Sequence, residues 1–61
     1  MQLEDYVRLV AAIRNTAEAL RSEADYIGDF HQAEFLRERA SACERRASEI
    51  EVGLLAGQPA H

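Results

Sequence analysis

The sequence predicts an all-α fold: an antiparallel two-helix hairpin, at about residues 3–27 and 30–56, that dimerises into a four-helix bundle. Three observations predict it. Residues Ile27-Gly28-Asp29-Phe30 join a helix stop signal to a helix start signal midway along the chain. On both sides of that point, apolar residues recur at alternating spacings of three and four. The chain has only 61 residues, and domains of that size bury only about 60% of their unfolded surface, so a lone hairpin would be marginal.

The first helix opens with Glu4 and Asp5, carboxylates placed at the positive end of the helix dipole. Neither Gly nor Pro occurs between Gln2 and Ile27. Its apolar seam is Leu3, Tyr6, Val10, Ile13, Ala17, Leu20, Ala24 and Ile27, a heptad pattern suited to shallow left-handed packing. In heptad letters, Leu3, Val10, Ala17 and Ala24 are a positions, and Tyr6, Ile13, Leu20 and Ile27 are d positions.

At the turn, Gly28 is expected just past the helix end, where a residue without Cβ takes a positive φ freely. Asp29 is expected as an N-cap, with Gln32 as the reciprocal member of a capping box.

The second helix carries Ala33, Ala40, Ala47 and Leu54 at a, and Leu36, Cys43 and Ile50 at d. Gly53 is its one poor helix former. Gly57 and Pro59 supply the stop, so residues 1–57 form the hairpin and 58–61 a flexible C-terminal tail. Folding the chain back at Gly28 pairs Ile27 with Ala33, Ala24 with Leu36, Leu20 with Ala40, Ala17 with Cys43 and Ile13 with Ala47. Each layer sets a large side chain against a small one, which favours close interdigitation. The same register places Arg14 near Glu44 and Glu23 near Arg39.

Helix 1 also bears a second stripe, Leu9, Ala12, Thr16, Ala19 and Tyr26, which implies another helix alongside it. The economical solution is a two-fold homodimer. Tyr26, Phe30 and Phe35 gather near the turn. They read first as a plug closing the bundle end and second as a hot spot for another protein. The expected interface is therefore Leu9, Ala12, Thr16, Ala19, Tyr26, Phe30 and Phe35.

The chemistry-bearing residues favour no reaction. Cys43, the single cysteine, falls at a d position and reads as a small buried hydrophobe, three turns from His31. His31, Glu34 and Glu38 have metal-ligand spacing, but no second Glu-x-x-His completes a set, so no metal or cofactor is expected. Arg37, Arg39, Arg45 and Arg46 are interleaved with Glu34, Glu38, Glu44 and Glu49, the pattern of a solvated salt-bridged face. With a formal charge of −4, nucleic acid is a disfavoured partner. Charges at Glu4, Asp5 and Arg8 argue against a secretory signal, and no apolar run approaches the roughly 20 residues that span a bilayer. A cytoplasmic location is expected.

Two resemblances follow from these residues. Gly28-Asp29-Phe30-His31-Gln32-Ala33, with Leu36 and Ala40, resembles the turn and second helix of one tetratricopeptide repeat, which implies similar turn geometry. The length, hairpin layout and small-on-large layers resemble the Rop family of RNA-binding four-helix dimers. That likeness implies the bundle layout; no RNA-contacting residue aligns. The expected function is thus a non-enzymatic interaction or regulatory module, homodimeric and binding another protein. Its alternatives are a heteromeric assembly partner or small chaperone, and a Rop-like RNA binder.

Overall fold

A computed structural model describes residues 2–56, the last two of these by backbone alone. Two α-helices, α1 (Leu3–Tyr26) and α2 (Phe30–Ala56), pack antiparallel along their length. No strand occurs among the described residues. The expected stop at Gly57 and Pro59 and the 58–61 tail lie outside the described residues.

Local signals start both helices. The Gln2 backbone N–H donates to Asp5 Oδ2 at 3.0 Å, tying the first turn of α1 to its own acid. Asp29 Oδ1 accepts from the Gln32 N–H at 3.1 Å, and the Asp29 carbonyl receives the Ala33 N–H at 2.9 Å. Asp29 is therefore the N-cap of α2, as its spacing from Gln32 implies.

The end of α1 differs from the expectation. The helix closes with the Ile27 N–H donating to the Glu23 carbonyl at 3.0 Å, after which Ile27 is extended at φ −76° and ψ 138°. Gly28 does not occupy the positive-φ region, and a Cβ built on it would meet nothing within 4 Å. The chain leaves α1 by straightening at Ile27, so the turn makes no demand that only glycine meets.

The core is made almost wholly of alanine. Buried are Val10, Ala17 and Ala24 from α1, and Ala33, Ala40 and Ala47 from α2. All six are a positions. The d residues Tyr6, Ile13, Leu20, Ile27, Leu36, Cys43 and Ile50 are each only half-buried. Leu3, the first a residue, is exposed, and the position opposite it lies outside the described residues. Burying a methyl group contributes about 0.8 kcal/mol, whereas fully burying a Leu or Ile contributes roughly 1.5–3 kcal/mol. The larger hydrophobic return thus sits in the side chains that the hairpin leaves half in water.

The shape agrees. The chain measures 48 × 15 × 13 Å with a radius of gyration of 14.3 Å, against about 10.5 Å for a compact domain of this length.

Candidate association face

An antiparallel helix pair has two flanks, and here they differ. On a helical wheel, e positions lie beside a, and g positions lie beside d, so the pair meets e to e on one flank and g to g on the other. The e flank is zipped by charge. Arg14 donates to Glu51 through both terminal nitrogens at 2.8 Å. Arg21 donates to Glu44 through Nε at 3.1 Å and Nη2 at 2.7 Å, with Ser41 Oγ accepting a further bond at 3.3 Å. Nearer the turn, Arg37 reaches Asp25 at 3.5 Å. All four residues of the first two pairs are e positions, and Arg37 is a fifth.

These pairs correct the expected ones. The sequence register sets Arg14 beside Glu44 and Glu23 beside Arg39, yet Arg14 bonds Glu51, Glu44 bonds Arg21, and no ion pair joins Glu23 to Arg39. Helical side chains lean toward their own N-terminus. In an antiparallel pair two long side chains therefore converge from Cα positions set more than a turn apart, which favours Glu51 over Glu44 for Arg14. Electrostatics registers the same lattice. The Glu44 carboxyl is held below its ordinary range, first by the hydrogen bond from Arg21, with the charges of Arg21 and Arg14 adding and desolvation opposing. Glu51 is lowered likewise, chiefly by the hydrogen bond from Arg14.

The g flank has no such closure. It carries Leu9, Thr16 and Glu23 from α1 and Gln32, Arg39, Arg46 and Gly53 from α2, flanking the half-buried d row. No ion pair crosses it among the described residues. Thr16 Oγ1 turns back to the Ala12 carbonyl at 3.0 Å, satisfying its hydroxyl within the helix. Arg39 lies over the Phe35 ring, 5.7 Å from its centre.

The residues expected at the interface all face solvent. Ala12, Thr16 and Ala19 are exposed, and Leu9 is 41% exposed. Tyr26, Phe30 and Phe35 are 92%, 69% and 57% exposed, so they form no plug over the turn. The reason is geometric: Tyr26 and Phe35 are c positions, turned away from the seam, and Phe30 is an e position in the first turn of α2, past the end of α1. Phe30 instead stacks edge-on against His31 at 5.8 Å. The heptad repeat alone puts the d row wholly in the hairpin core, whereas the fold leaves it half-exposed. The available signal was its pairing with alanine at every a position but one in the central layers, which cannot cover a larger neighbour.

Cys43 is a free, half-buried thiol in that row. Among the described residues, no three His, Cys, Asp or Glu side chains gather as metal ligands, and no helix is long and apolar enough to cross a membrane. A shallow depression on the outer face of α2 is lined by Glu34, Arg37, Glu38, Ser41 and Arg45, of mixed charge. Fold and surface together define a small antiparallel helical hairpin with one closed and one open flank. No protein-family model, curated protein or solved structure matches the chain.

Proposed function

We propose that the chain is a small, non-enzymatic interaction module of the cytoplasm that acts as a homodimeric four-helix bundle and presents its outer faces to another protein. The observation that carries this reading is the row Ile13, Leu20, Ile27, Leu36, Cys43 and Ile50, half-buried along the whole hairpin while alanine alone fills most of the core. A second hairpin is the simplest body that completes the burial of such a row. Sedimentation equilibrium at low micromolar concentration is expected to give twice the 6.8 kDa chain mass. A folded monomer under those conditions overturns the reading.

A second reading draws on the exposed Tyr26, Phe30 and Phe35. In it the chain is a subunit or small chaperone that folds against a different protein through these aromatics and the α1 stripe. It is distinguished by low helicity of the isolated chain in circular dichroism. The Rop-like RNA-binding alternative draws only on the hairpin layout, and the net charge of −4 weighs against it. Binding of structured RNA with a steep salt dependence is the result that would revive it.

A further inference from the structure

The closed and open flanks do more than mark a surface; they prescribe how a second copy sits on it. In a four-helix bundle whose core is a and d, each helix meets one neighbour on its e side and the other on its g side. The e sides are already spent within the protomer on Arg14–Glu51 and Arg21–Glu44. The g sides are left for the other hairpin, and two arrangements keep all neighbouring helices antiparallel. With the turns at opposite ends, α1 packs on α1 and α2 on α2. With the turns at the same end, α1 of each copy packs on α2 of the other.

The g residues choose between them. Turns at opposite ends bring Arg46 level with its own symmetry mate and Glu23 level with Leu9, so the seam holds a like-charge pair and a lone acid. Turns at the same end bring Glu23 level with Arg39, Thr16 level with Arg46, and Leu9 level with Gly53, the one α2 position on this flank without a side chain. Among the described residues of the protomer, no ion pair engages Glu23, Arg39 or Arg46. By two-fold symmetry each such contact occurs twice.

We propose that the open g flank is occupied by a second copy of this chain with both turns at the same end, so that Glu23 of each copy pairs with the partner's Arg39. This rests on the self-association proposed above. The pairing selects the register and excludes the end-to-end alternative, the role charge complementarity commonly plays at interfaces.

Two measurements test it. Glu23→Arg and Arg39→Glu, each alone, are expected to weaken self-association by about tenfold or more, and the double variant to recover it. Both positions are exposed, so circular dichroism should show the helices intact. Separately, Gly28→Cys in a Cys43→Ala background, spin-labelled at the turn, is expected to give an intermolecular distance of about 20–30 Å in the dimer, the helix packing distance of roughly 10 Å extended by the two label tethers. Turns at opposite ends would give about 40 Å from the helix rise. A chain that sediments as a monomer at all concentrations removes the proposed function itself. A dimer indifferent to the charge reversals, or one with the long label distance, leaves that function standing and overturns this arrangement.

Discussion

Arg21 and Glu44 grip each other through two parallel hydrogen bonds, Nε to Oε2 at 3.1 Å and Nη2 to Oε1 at 2.7 Å, across the flank that overlies the alanine core. Two turns away Arg14 and Glu51 repeat the motif at 2.8 Å. Both pairs remain substantially exposed, with side chains over 40% accessible, so solvent screens them. Their contribution is orientation as much as energy: forked guanidinium–carboxylate pairs tolerate little sliding of one helix past the other.

The pH response follows from these pairs. The Glu44 and Glu51 carboxyls are lowered in the folded chain, first by the hydrogen bonds from Arg21 and Arg14. A lowered folded value means stability that is fully present above the unfolded glutamate value and lost as pH falls through the folded one. Thermal melts should therefore hold steady at neutral pH and decline on acidification through and below the ordinary glutamate range. Glu44→Gln together with Glu51→Gln should flatten that acid limb, and 1 M salt should shrink the difference between parent and variant. An acid limb unchanged by the double variant would assign it to other carboxylates.

Asp29→Ala removes the side chain that caps the Gln32 N–H. A loss of about 1 kcal/mol is expected, which in a domain this small lowers the melting temperature by roughly 4–8 °C. Asp29→Asn or Asp29→Ser, which keep an acceptor, should recover most of it. Equal losses in all three variants would show that the acid's charge, and not the cap bond, matters.

Gly28→Ala should be harmless or stabilising. Its φ lies outside the left-handed region and an added Cβ meets open space. Removing glycine's freedom from the unfolded chain at such a site raises stability by about 0.4–1 kcal/mol. A lowered melting temperature would mean that the turn visits a conformation alanine resists.

Ala40→Leu and Ala17→Leu test the core. Both alanines are fully buried at the helix seam, and forcing a larger side chain into a packed seam costs typically 1–3 kcal/mol. The same change at the exposed Ala12 or Ala19 should leave the melting temperature within about a degree, since surface substitutions rarely exceed 0.5 kcal/mol.

Features written in local spacing were readable in the sequence. The helix starts, the seams and the Asp29 cap on the Gln32 N–H depend on residues three or four apart, and they appear where the spacing puts them, while α1 ends one residue short of the expected limit. Features that depend on direction in space were not. Whether Arg14 meets Glu44 or Glu51 turns on the lean of two long side chains. Whether Gly28 needs a positive φ turns on where Ile27 straightens. The a and d residues look equivalent as a heptad repeat; they part company in the fold because a looks toward the closed flank and d toward the open one. Tyr26, Phe30 and Phe35 are neighbours in sequence, yet their angles around two helix axes scatter them.

One property of the alanine seam reaches beyond packing. Ala33, Ala40 and Ala47 repeat every seven residues with no variation in size, so α2 offers a nearly periodic track to α1. Moving it along by one period, roughly 10 Å at the helical rise per residue, would set Ala40 and Ala47 where Ala33 and Ala40 sit, with Leu54 the one larger newcomer in the place of Ala47. Translation along the axis is thus a soft coordinate of the core, and it is fixed from outside the core. The short link from Ile27 to Asp29 acts as an index pin, and the Arg14 and Arg21 forks act as latches at successive notches. Lengthen the link and break both forks, and the two helices would have several nearly equivalent seatings to choose among.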